Sequence, residues 1–206
     1  MSVRLVSLVF GLFLFAAGIV ALLESRLGLS PWDVLNQGIA KHSPLTFGEA
    51  NIAVGLTIVA VVLLLGQEIG FGTLANAILV GVFVDRLIAV DAVSDLKHSV
   101  LPGRVALLAA GIALIGVGTA FYIGGAMGAG PRDSLMIVLG RRTGIRVGVV
   151  RGVIELCALI VGIVLGGTFG IGTVAFALLV GPTVEASFFL LERSPLGISP
   201  AARAPA

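Results

Sequence analysis

Charge is what this sequence has least of. Only 12% of its 206 residues are charged, against 58% hydrophobic, where an ordinary soluble domain carries about a quarter charged. So few charges cannot cover a water-facing surface, and a soluble globular fold is excluded. Cysteine is nearly absent too: Cys157 stands alone in an apolar run, so neither an intramolecular disulfide nor a cysteine metal cluster can form within one chain. Aromatics make up 6%, with one Trp and one Tyr. The 13 Lys and Arg are scattered through polar stretches and form no basic stripe interleaved with aromatics, so the net charge of +2 does not point to nucleic acid.

What is there is apolar and long. Runs at Leu5 to Leu23, residues 105–123 and Val147 to Leu165 reach the roughly 18 to 20 residues that cross a bilayer. Lipid is the solvent and helices are the spans, because only they satisfy their backbone internally there. Arg4 and the apolar stretch after it could be read as a secretory signal. The stretch is longer than a usual signal core, and its counterpart lies in mid-chain, so it is expected to stay in the mature protein.

That counterpart belongs to an internal repeat. Shifting the chain by 100 residues, without a gap, lays Arg4 on Arg104, Gly11 on Gly111, Gly18 on Gly118, Pro31 on Pro131 and Asp33 on Asp133. Gly48 meets Gly148, and the Gly70-x-Gly-Thr stretch meets Gly170-x-Gly-Thr. Low complexity can imitate apolar identities but not Pro, Asp, Arg and Thr in one register. The predicted organisation is a first membrane repeat over 1–92, a linker over 93–103, a second repeat over 104–192, and a disordered Pro- and Ala-rich tail over 193–206. Each repeat reads as a long span (5–24; 105–123), a short helix, and two further spans (48–66 and 73–90; 147–165 and 173–191). Thr73 and Thr173 are placed to cap the last span of each unit. A phosphate-cradling loop is the sharper reading of the Gly-x-Gly-Thr break, but no lysine or further glycines follow.

Ser30-Pro31-Trp32-Asp33 and Gly130-Pro131-Arg132-Asp133 are helix starts: a cap residue, proline at the first helical position, and a carboxylate in the first turn. The helices run to about Ala40 and Gly140. Ten helical residues rise about 15 Å, half of a bilayer core, so these segments either cross with the help of an extended approach or dip in and return. Crossing gives eight spans and parallel repeats, with ten of twelve loop and terminal cations on the side of both termini; returning gives six spans, inverted repeats and a split of seven against five. The positive-inside rule favours eight, with both termini cytoplasmic. Short interrupted segments at matching places of two halves also suit the inverted arrangement.

Two glycine-rich units, the stretch Gly28-Leu-Ser-Pro-Trp-Asp-Val-Leu-Asn-Gln-Gly38 and the Gly66 to Gly81 region resemble the YczE/YitT-like family of bacterial integral membrane proteins over most of the chain except the tail. The resemblance implies a multi-pass protein of the bacterial inner membrane. It brings no catalytic or binding residues with it. The second unit departs at Arg132, where the first has Trp32, so the copies need not do the same work.

Ionisable groups within spans are expensive and are the default site candidates. Asp33 and Asp133, with Arg132, come first, since repeat symmetry would bring two half-helix N-termini together in the membrane interior to meet a solute or ion; the plainer reading is that both carboxylates cap their helices. Trp32 reads as an interfacial anchor rather than a stacking platform. Arg151 and Glu155 lie four apart on one helix face, either as a static ion pair or as a coupling element. Asn51 and Asn76 either line a cavity or hydrogen-bond between helices. Asp85 and Glu185 sit near span ends, where solvation accounts for them. Gly124, Gly128, Gly148 and Gly152 allow close helix packing, and His42 and His98 are loop residues.

No nucleophile and base arrangement and no metal-ligand spacing is present, so neither enzyme activity nor a metal or other cofactor is expected. The reading reached is a small-solute transporter or permease with its pathway between the two repeats. The alternatives are an accessory membrane protein that binds a partner, or another copy of itself, through glycine-rich helix faces, and a substrate-binding subunit of a larger import complex.

Overall fold

A computed structural model describes residues 2–193, whose regular elements are all helices. The tail proposed for 193–206 lies, apart from Arg193, outside the described residues. The first unit contains α1 (Ser2–Ser25), α2 (Pro31–Lys41), α3 (Phe47–Leu64) and α4 (Phe71–Ile88). A connector follows, made of α5 (Asp91–Ser94) and a single 3-10 turn (Asp95–His98). The second unit contains α6 (Leu101–Gly124), α7 (Pro131–Thr143), α8 (Val147–Val164) and α9 (Ile171–Glu192). Six of these, α1, α3, α4, α6, α8 and α9, are long and apolar enough to cross a membrane. The short helices α2 and α7 have 11 and 13 residues.

The helix starts follow their sequence signals. Ser30 caps α2 by accepting the Asp33 N–H at 3.2 Å, with Pro31 at the first helical position. Thr46 and Glu49 form a reciprocal capping box at α3. The threonines of the Gly-x-Gly-Thr breaks do otherwise than expected. Gly70 and Gly170 are the cap residues of α4 and α9; Thr73 lies inside the first turn and donates its hydroxyl to the Ala129 carbonyl at 2.6 Å, while Thr173 Oγ1 accepts the Gly170 N–H at 3.3 Å.

The centre of the bundle is the crossing of α1 and α6. Leu8, Leu12, Ala16, Ile19 and Leu22 of α1 are completely buried at helical spacing. Lipid provides no hydrophobic drive between helices, so close backbone approach over small residues carries much of the packing. A Cβ on Gly11 would strike the Gly118 carbonyl and the Tyr122 amide, and one on Gly18 would strike Gly111 and Ile115. Residue 11 therefore faces 118 while 18 faces 111, which makes α1 and α6 antiparallel. Arg104 at the start of α6 donates to the Ser25 and Arg26 carbonyls at the end of α1, each at 2.7 Å, and Gly125 lies against Arg4.

This overturns the parallel arrangement expected from the charge bias, because Arg4 and Arg104 stand at opposite ends of the bundle. The short helices turn back as well. The α8–α9 turn is touched both by the chain leaving α1, through the Gly172 N–H bond to the Leu27 carbonyl at 2.7 Å, and by the end of α2, through Lys41 Nζ on the Gly166 carbonyl at 2.6 Å. The end of α2 thus lies at the face that α1 reached. The α3–α4 turn is touched in the same way, by Met127, whose carbonyl accepts the Gly72 N–H, and by Arg142, which donates to the Leu65 carbonyl at 2.7 Å. Eight crossings would need Lys41 and Arg142 at the far ends. Gly28 and Gly128 make the two reversals at φ +126° and +125°, where a side chain would be strained.

Candidate functional site

Because the segments after Gly28 and Gly128 turn inward, α2 and α7 begin inside the bundle. Their first residues, Ser30 to Asp33 and Gly130 to Asp133, line one cavity of about 320 Å³. Asn51 of α3, Asn76 of α4, Ile115, Thr119 and Tyr122 of α6, and Arg151 and Glu155 of α8 complete its walls, with Val180 and Glu185 of α9. The volume is near the lower end for small-molecule sites and would hold on the order of ten waters at about 30 Å³ each. All seven candidate residues, Asp33, Asp133, Arg132, Arg151, Glu155, Asn51 and Asn76, lie on it.

The two carboxylates are held differently. Asp33 is 1% exposed; its Oδ2 accepts the Ser30 hydroxyl at 2.5 Å and its Oδ1 accepts the Asn36 amide at 3.4 Å. Both oxygens are engaged by its own helix, which agrees with a capping role. Gly130 offers no hydroxyl to Asp133, and the donor there is Tyr122 Oη of α6, at 3.2 Å from Oδ2. Two helix N-termini, each carrying about half a positive charge, point at the same space.

Arg132 lines the same cavity, with its guanidinium 5.0 Å from the centroid of the Trp32 ring. A contact of this kind contributes about 0.5 to 2 kcal/mol, more as it is desolvated. Trp32 is therefore no interfacial anchor: the residue is 8% exposed and its ring stacks under the arginine that replaces it in the second unit. Its Nε1 and the Nδ2 of Asn51 are buried without a hydrogen-bond partner among the described residues, although a buried polar group left unmatched costs about 1 to 3 kcal/mol. Arg151 Nε donates to Glu155 Oε1 at 2.9 Å, forming the expected ion pair, with the Arg151 side chain half exposed. The sequence reading missed Tyr122. Its one signal was that the only tyrosine of the chain lies in an otherwise apolar span.

The cavity walls differ sharply between units. Asp85, expected to be solvated, accepts the Thr46 hydroxyl at 2.5 Å and the Gly48 N–H at 2.8 Å, and Gly48 and Gly81 are packed backbone to backbone. This joins α3 to α4. No comparable face joins α8 to α9. Gly148, Gly152 and Gly181 have open space where a Cβ would stand, against the packing role expected for Gly148 and Gly152, and Glu185 is exposed. Cys157 of α8 is exposed too.

Residues 2–188 match the DUF6198 family, described as a family of unknown function. The chain is 36% identical over 174 residues to the uncharacterized membrane protein YczE of Bacillus subtilis, covering 83% of this chain and 79% of YczE. It is 34% identical over 188 residues to an uncharacterized protein of Haemophilus influenzae, covering 91% and 84% of the two chains, and 29% identical over 185 residues to YyaS of Bacillus subtilis, covering 89% and 91%. No solved structure matches. Apolar helices and relatives agree on a multi-pass membrane protein.

Proposed function

The chain belongs to the DUF6198 family of unknown function, and from that premise we propose that it moves a small polar solute across the bacterial cytoplasmic membrane, along a pathway between two inverted repeats. Each repeat has three crossings and one half-helix, and both termini lie on one face, the cytoplasmic one. What supports the inversion is the antiparallel contact of α1 with α6 and the exchange of half-helix contacts, α2 onto α8 and α7 onto α3.

The observation that carries the transport reading is the meeting of both half-helix N-termini at one central cavity with Asp33, Arg132 and Asp133 on it. Desolvated ionisable groups in a bilayer mark ion or substrate pathways, and discontinuous helices aim their ends at such sites. Asp133, Tyr122 and Arg132 would meet the polar end of the solute, while Trp32 Nε1 and Asn51 Nδ2 are donors with bonds still to make. We read this set as one that binds and releases a solute.

The accessory reading draws on the uncovered glycines of α8 and α9, which could seat a partner helix. Solute-dependent thermal stabilisation of the purified protein separates the two. A transporter gains stability with its solute, and loses the gain in Asp133→Asn; an accessory protein gains none from any solute in a broad panel.

A further inference from the structure

Contacts made between α3 and α4 are missing between α8 and α9. In the first, the carboxylate of Asp85 on α4 caps the N-terminus of α3 through the Gly48 N–H and the Thr46 hydroxyl. Gly81 meets Gly48, and Ala77 meets Gly55 one to two turns deeper. These contacts hold α3 against α4 on the side of the bundle that Lys41 reaches. One hundred residues on, the same set is present in sequence but apart in space: Glu185 for Asp85, Gly148 for Gly48, Gly181 for Gly81, and Arg146 in place of Thr46. Among the described residues a Cβ on Gly148 or Gly181 would meet nothing within 4 Å, and the cavity lining there includes Arg151 and Glu185. Pro182 stands inside α9 next to Gly181. A proline there removes one backbone hydrogen bond and permits a bend, and α4 has Val82 at that position.

We infer that α8 and α9 are a gate that shuts as α3 and α4 are shut, with Gly148 seated on Gly181 and Glu185 on the Gly148 N–H and the Arg146 guanidinium, and that the two gates close in alternation. The protein is then an alternating-access carrier and not a channel. This rests on the proposed pathway between the repeats. Glu185 is one methylene longer than Asp85, and Arg146 supplies a charge where Thr46 supplies a hydroxyl, so the second gate closes on an ion pair. Closure also covers Arg151 and Glu155, whose mutual pairing at 2.9 Å lets them be enclosed as a neutral unit. When it forms, the α3–α4 contacts open and Asp85 gives up Gly48.

Cysteine cross-linking in native membranes tests this, on a Cys157→Ser background. Thr46→Cys with Asp85→Cys reports the first gate; Arg146→Cys with Glu185→Cys reports the second. Each pair is expected to form an intramolecular disulfide on oxidation, and the protein carrying all four cysteines is expected never to protect more than two thiols from a maleimide. Gly148→Leu, with open space around it, should fold, keep the first pair cross-linking and lose the second. The gate is overturned if the 146–185 pair stays free, if both pairs close in one molecule, or if the 146–185 disulfide joins two chains, which would make α8 and α9 an interface between copies. Mutual exclusion without solute flux removes the solute reading and leaves the gate; flux without exclusion leaves a pathway and removes the gate.

Discussion

Tyr122 donates its hydroxyl to Asp133 at 3.2 Å, joining the middle of the bundle to the tip of a half-helix inside it. Asp133 takes this bond from another helix, whereas Asp33 is held by Ser30 and Asn36 of its own segment. Tyr122→Phe is expected to cost about 1 to 1.5 kcal/mol of stability and to weaken solute binding by up to about tenfold. Thermal unfolding with and without solute measures both, and an unchanged affinity would remove Tyr122 from the site.

Asp33 and Ser30 act as a cap, so their variants separate charge from structure. Ser30→Ala is expected to destabilise by about 1 kcal/mol. Asp33→Asn keeps an oxygen for the Ser30 hydroxyl but loses the acceptor of the Asn36 amide and the interaction of its charge with the helix end, together about 1 to 2 kcal/mol. Asp33→Asn protein that fails to fold would show that the carboxylate itself holds α2 in place.

Chain direction gives a topology prediction. A tag at the N-terminus and one inserted after His42 should lie on opposite faces of the membrane, and one inserted at Gly144 should share the face of the N-terminus. Labelling with a membrane-impermeant reagent decides it; finding the first two tags on one side would restore the crossing short helix.

The glycines of the two units predict opposite responses to the same change. Gly18→Leu forces a side chain into the Gly111 carbonyl and Ile115 and is expected to cost 3 kcal/mol or more, beyond the roughly 1 to 3 typical of overpacking, because backbone must move. Gly148→Leu enters open space and should stay within about 1 kcal/mol. Comparable losses of folded protein in both would mean that α8 is packed in the membrane.

The elements and their order were legible because each has a local cause: a span needs its apolar length, and a half-helix announces itself by Ser-Pro or Gly-Pro followed by Asp. Their directions were not. The cations fall almost evenly on the two faces in the inverted arrangement, so counting them favoured the other, whereas the deciding fact is that Gly11 lies on Gly118, a contact between parts far apart in sequence. The same limit hid Tyr122, which becomes polar machinery only once α7 is folded beside α6. Trp32 went astray for a related reason, since a tryptophan near a span end is an anchor only if the chain there stays at the surface. The seven ionisable and amide candidates needed no fold to find, because buried polarity in an apolar chain stands out by itself.

Uptake by purified protein in liposomes tests the central claim most directly. The account predicts saturable accumulation of at least one small polar solute, lost in Asp133→Asn and in Gly148→Leu while both variants stay folded. Wild-type protein that is folded and inserted, yet moves no solute of a broad panel faster than protein-free liposomes do, would contradict it.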